Sequence, residues 1–315
     1  MLQVVVGAVV VGAIFFYFLP RIVDFAEVWA TIRAMTWLEL TTLLLLAVWN
    51  QVTYVLVEMS GRPGLGYRQA VKITQTSTAV NNTLPGGPAL GAGLQGAMYR
   101  SYGFAPADIA ISLTLTGTWN TFAKLAMPIV ALALLALLAF ATALRSEKGA
   151  QTVASRLQAL VFSAGRLVGR GPRGDWGAAA AAFRGRVVEL LGRQWLQLTS
   201  ATIVSHVSLY LVLLLALRHV GVPNDSVSWQ EALAAFAFVR LLSAIPITPG
   251  GLGVVELGLT AALVAAGGQE ALLLAAILVY RVLTFVLPLP VGAVSYLFWR
   301  RETGHRPRRE SLSAR

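Results

Sequence analysis

Residues 106–144 form an apolar stretch too long for one membrane crossing, because as a single helix they would reach about 57 Å against a hydrocarbon core of about 30 Å. We expect two short spans there, broken near Lys124 to Pro128. Further apolar runs lie at 2–19, 37–59, 198–217 and 270–299, the last interrupted by Pro288 and Pro290. With 57% hydrophobic and 12% charged residues, a 315-residue chain has too little interior to hide this much apolar surface from water. The sequence therefore predicts an all-α, polytopic integral membrane helix bundle and excludes an ordinary soluble enzyme. The 2–19 run has neither a basic leader nor a small-x-small cleavage site, so we expect a retained span rather than a signal peptide. Residues 20–36 alternate charge with Ile, Phe, Val and Trp as an interfacial amphipathic helix does.

The net charge of +11 is concentrated. Residues 145–198 hold nine Arg/Lys against three Asp/Glu, and residues 300–315 hold six against two. Basic residues gathered beside apolar spans mark the cytoplasmic side, so no nucleic-acid partner is needed to explain them. Residues 145–197 read as a cytoplasmic basic insertion of surface helices turning at 171–175, and 300–315 as a basic cytoplasmic tail. The remainder of 1–299 is the transmembrane domain. Cysteine is absent, and His206, His219 and His305 share no metal-binding spacing, so no metal or other cofactor is expected.

Two segments, 70–101 and 229–266, are helical patterns cut by one tripeptide, Pro85-Gly86-Gly87 and Pro249-Gly250-Gly251. Chance supplies that tripeptide about 0.1 times in such a chain, so the pair points to an internal repeat. The flanks agree: Gly61-x-Pro63 and Gly221-x-Pro223 precede the motifs, and Gly103 and Gly267 each follow the motif proline by eighteen residues. Repeat 1 covers about 37–144 and repeat 2 about 198–299. Proline ends a helix and paired glycines allow the chain to turn, so each segment should be a broken-helix, re-entrant hairpin. Counting crossings through 106–144 sends the two hairpins in from opposite faces, the inverted arrangement of alternating-access transporters. A single crossing there would make the repeat parallel.

Ionisable groups at membrane depth are candidates for function. Lys124 extends a row of Ser112, Thr116 and Asn120, Arg240 precedes the second break, Glu256 follows it, and Arg281 lies on the final span. Lys124, Arg240 and Arg281 outnumber Glu256, a surplus that an anion would neutralise. Amides left bare after each glycine pair would add to it. Asn81 and Asn82 contribute neutral hydrogen-bonding groups beside Pro85, Gly86 and Gly87. His206 reads as an interhelical hydrogen-bonder rather than a proton carrier. No nucleophile with its base, paired carboxylates or nucleotide loop is present, so no enzymatic activity is expected.

Ile245-Pro-Ile-Thr-Pro-Gly-Gly-Leu-Gly-Val-Val-Glu256, with Gly267 and Tyr280-Arg281, closely resembles the signature of the lysylphosphatidylglycerol synthase transmembrane family, the flippase-like domain. Asn81-Asn-Thr-Leu-Pro-Gly-Gly87 with Tyr99-Arg100 and Gly103 is similar to that family's first motif, although residues 89–94 lack the acidic residue and Arg found in many members. The resemblance implies a lipid-translocating helical domain without the soluble aminoacyl-transferase domain that makes the aminoacylated lipid. The expected function is translocation of an anionic or aminoacylated phospholipid, or of a polyprenyl-linked lipid, in the bacterial inner membrane. Pro85 to Gly87 and Pro249 to Gly251 would shape the site. Arg240, Arg281 and Lys124 would meet phosphate, and Glu256 would meet a cationic headgroup or hold Arg281. The alternatives are a non-transporting scaffold for a partner lipid-modifying enzyme, a homo-oligomer among its partners, and a soluble-anion carrier.

Overall fold

The computed structural model describes residues 25–84, 86–143, 177–243 and 248–304. The expected span at 2–19, the turn at 171–175, Pro85, residues 244–247 and most of the tail lie outside them. All regular structure among the described residues is helical: α1 (Phe25–Ala34), α2 (Trp37–Gly61), α3 (Tyr67–Thr83), α4 (Gly87–Ser101), α5 (Pro106–Ala143), α6 (Gly177–His219), α7 (Trp229–Leu242), α8 (Val254–Ala265), α9 (Glu270–Arg281) and α10 (Pro288–Gly304).

Reciprocal caps start two of these helices. The Thr36 hydroxyl accepts from the Glu39 amide (3.3 Å) while the Glu39 carboxylate accepts from the Thr36 amide (2.7 Å). Ser228 and Glu231 repeat the arrangement at the start of α7. Among the described residues, three helical stretches are long and apolar enough to cross a membrane: Trp37–Gly61, Gln194–His219 and Glu270–Thr303. Their outer faces carry large apolar side chains, with Trp37 85% and Leu38 73% exposed, while Asn50, Thr53, Ser205 and His206 are buried between helices. Apolar outside and polar inside is the distribution that hydrocarbon solvent imposes.

The polar seam sets the direction of packing. The Asn50 amide donates to the Ser205 carbonyl (3.1 Å) and the Ser208 hydroxyl (2.7 Å), and Thr42 bonds His219 Nε2 (2.9 Å). Leu198 at the start of the buried part of α6 meets Val57 near the end of α2. Residue numbers rise on one helix as they fall on the other, so α2 and α6 run antiparallel.

α3 and α4 form one helical hairpin, and α7 and α8 another. In the first, Gly91 allows α4 to lie on Asn81 and on the Ser77 carbonyl; in the second, Gly258 lies on Val239. Their arms, 17 and 15 residues in the first and 14 and 12 in the second, reach roughly 18–26 Å, each short of the hydrocarbon core. The first arm of each hairpin packs on a helix distant in the chain. α3 lies on α10, where Gly292 fits against Ala79 and the Gln75 backbone, and α7 lies on α5, where Ala131 meets Ala234 and Ala237.

One expectation is corrected. The 106–144 segment is one continuous helix, α5, and passes through Lys124 and Pro128 without a break. A proline inside a helix forfeits one backbone bond, here to the Lys124 carbonyl, which buried neighbours tolerate. The crossing count that rested on a break there falls with it. α6 runs unbroken from Gly177 across residues 197 and 198. The interruption expected at Pro288 is a widened turn over Val282–Val286, closed by a Leu287 amide to Val282 carbonyl bond (2.8 Å) just before the prolines.

Candidate functional site

The second break is built from its glycines. Pro249–Gly251 makes one tight turn with Gly250 at φ 57° and Gly251 at φ 69°, in the left-handed region where side chains with a Cβ are strained. α8 begins at Val254, so Glu256 falls in its first turn, and its Oε2 accepts from the Gly253 amide at 2.7 Å. Glu256 Oε1 accepts from Arg281 Nε at 2.6 Å. Arg281 also donates to the Gly250 carbonyl (3.2 Å), and its guanidinium stacks 4.3 Å from the Phe285 ring centroid. One arginine thus ties the tight turn, the start of α8 and the widened turn after α9. The pair is nearly dry, with side chains 11% and 6% exposed.

The first break meets it. Gly86, at φ 70°, caps α4, and Gly87 lies against the Asn81 backbone. A Cβ on Gly250 would fall 3.1 Å from the Asn82 Cα and into the Phe285 ring, so the two tips are in van der Waals contact. Asn81 is half-buried, and its Oδ1 is buried without a partner.

Of the amides expected to be bare after the second glycine pair, three are engaged. Gly251 donates to Thr248, Leu252 to Pro249, and Gly253 to Glu256. The chain's own carboxylate takes the Gly253 amide. Both Glu256 oxygens are engaged, so of its two expected roles the structure has it holding Arg281.

Lys124 and Arg240 sit apart from this pair, on α5 and α7, both half-buried and with Asn120 one turn before Lys124. The ion pairs among the described residues are Arg62–Asp108, Lys72–Glu302 and Arg281–Glu256, and none includes Lys124 or Arg240. Arg240 Nε is buried without a hydrogen-bond partner. His206, 5% exposed, bonds the Thr202 carbonyl through Nδ1 (3.0 Å), and its Nε2 has no partner.

A further polar cluster went unread in the sequence. Glu58 on α2, 7% exposed, accepts from the Tyr99 hydroxyl and, at both oxygens, from the Gln95 amide (3.0 Å each). One turn on, Arg62 reaches Asp108 (3.1 Å) and stacks on Phe104. A glutamate inside an apolar run was the available signal. An open apolar groove of about 530 Å³ runs between α3 and α10, past Val71, Val294 and Phe298, with Arg68 and Lys72 along it. Among the described residues no three His, Asp or Glu side chains gather as a metal site requires.

Fold and burial together define a helical integral membrane protein in which two interrupted hairpins touch at their tips. The model of one family, the lysylphosphatidylglycerol synthase TM region, matches residues 4–292, and the chain belongs to that family. Membership places it among membrane proteins of lipid metabolism or transport. No curated protein matches the chain.

Proposed function

We propose that this protein is a flippase-like carrier that moves a phospholipid or polyprenyl-linked lipid between the leaflets of a bacterial inner membrane, without enzymatic chemistry. The observation that carries the reading is the contact between the two hairpin tips at Gly250 and Asn82. Polar backbone exposed at interrupted helices is tolerated at membrane depth only beside protein or a hydrated path. Two such interruptions back to back offer a headgroup a continuous polar route. The hairpins are read as re-entrant and as halves of an inverted repeat, in which α2, α3 and α4 correspond to α6, α7 and α8. The antiparallel course of α2 and α6 supports inversion without any crossing count, and so does the reciprocal packing of α3 on α10 and α7 on α5. With the basic tail inside, one crossing through α9 and α10 puts the mouth of the second hairpin outside and that of the first inside. The groove between α3 and α10 would take acyl chains while the headgroup follows the tips.

Purified protein in vesicles carrying fluorescent phospholipid tests this. An external quencher should bleach nearly all the label instead of the outer half, and Arg281→Ala should slow the inner half. Vesicles no faster than protein-free controls would sink the proposal and favour a membrane scaffold for a partner enzyme.

A further inference from the structure

The register of three helices brings the unpaired cations together. The Trp119 indole donates to the Thr199 hydroxyl (2.8 Å), which fixes α5 beside α6. Lys124 then follows five residues on along α5, and His206 seven residues on along α6. The Asn50 bond to Ser205 holds α2 at the same level, which sets Tyr54 one turn away. α7 approaches from the other side of α5, with Ala234 and Ala237 on Ala131, and continues to Arg240. Tyr280, on α9, is buried as well. Arg240 lies within electrostatic reach of Tyr54, Lys124, His206 and Tyr280. Two nitrogens of this group, Arg240 Nε and His206 Nε2, are buried and unpartnered.

We propose that Lys124, Arg240 and His206, with Tyr54 and Tyr280 beside them, bind the phosphate ester of a net-negative headgroup. The site thereby selects anionic over zwitterionic or aminoacylated lipids. This rests on the lipid-moving reading above and narrows its substrate class. Gathering cations at membrane depth without a counter-charge is costly, and a phosphate supplies both charge and acceptors. His206 serves in either protonation state: with Nδ1 on the Thr202 carbonyl, Nε2 accepts from a headgroup hydroxyl or, once protonated, donates to a phosphate oxygen. Among the described residues, an ammonium would find both buried glutamates already engaged. Glu256 is filled by Arg281 and Gly253, and Glu58 by Tyr99 and Gln95.

The test uses the full chain in phosphatidylcholine vesicles, with labelled phosphatidylglycerol, phosphatidylcholine and lysylphosphatidylglycerol as probes and inorganic phosphate as competitor. Phosphatidylglycerol should move about tenfold faster than the other two, and Arg240→Gln or Lys124→Gln should remove that preference, as loss of a charge-assisted hydrogen bond implies. Arg240→Lys should retain part of it. Arg240→Gln should unfold at the same or a higher temperature than wild type, because it removes a half-buried guanidinium that has no counter-charge among the described residues; an arginine that serves only packing would lower it. Equal rates for all three lipids, or a preference untouched by both Gln variants, overturn the selectivity while leaving lipid translocation standing. Inorganic phosphate bound by wild type but not by Arg240→Gln, with no lipid moved, supports the anion site, assigns it to free phosphate and overturns the lipid-moving reading instead.

Discussion

Removing the charge of Glu256 should be the most damaging single change at the second break. Glu256→Gln keeps the shape and leaves one carbonyl oxygen for either the Gly253 amide or Arg281, where the carboxylate served both at 2.7 and 2.6 Å. Breaking a buried ion pair from one side costs about 3–5 kcal/mol, since the partner charge stays behind. Arg281 retains the Gly250 carbonyl at 3.2 Å and the Phe285 ring at 4.3 Å, which argues for the lower end, about 3 kcal/mol. In thermal unfolding of the detergent-solubilised protein this corresponds to a drop of about 5 °C. Adding Arg281→Met should recover part of the loss, because deleting both charges leaves neither stranded. A drop below about 2 °C, or a double variant showing the plain sum of the two losses, would refute the coupling.

Other substitutions probe the rest of the frame. Gly91→Ala should cost about 1–3 kcal/mol, since its Cβ lands on the Asn81 side chain, whereas Gly93→Ala, with open space around it, should be neutral or slightly stabilising; paired melting curves compare them. Asn50→Leu should loosen the α2–α6 seam by about 0.5–2 kcal/mol, read as a lower midpoint in denaturant, and no change would mean that the two bonds to α6 contribute nothing. Tyr99→Phe should cost about 1–3 kcal/mol by taking one donor from the buried Glu58, with Gln95 keeping the rest; hydrogen exchange in α4 should rise.

What could be read from residue order was what depends on local chemistry. Pro-Gly-Gly marks a turn because of the backbone of those residues alone, and the turn at Pro249–Gly251 is where the motif stands. Glu256 and Arg281 announced themselves as charges in apolar surroundings, and they meet. Pro128 misled because a lone proline has the same appearance whether it breaks a helix or merely forfeits a bond inside one; only the packing of α7 on α5 decides. Glu58 was overlooked because its donors, Gln95 and Tyr99, lie 37 and 41 residues away and are delivered by the first hairpin. His206 was read as an interhelical bonder, but its Nδ1 turns back to its own helix and leaves Nε2 for the cation cluster. Pairings across the bundle carry no period in the chain.

Opposed hairpin mouths are what the proposed lipid path requires, and the cysteine-free chain lets each be labelled alone. Pro63→Cys in the loop before α3 and Asp225→Cys in the loop before α7 are both exposed positions. In sealed, uniformly oriented vesicles, a membrane-impermeant maleimide should reach one of them from outside and the other only after the membrane is permeabilised. Equal labelling of both from the same side would mean that the hairpins enter together, and the path along their tips would be lost.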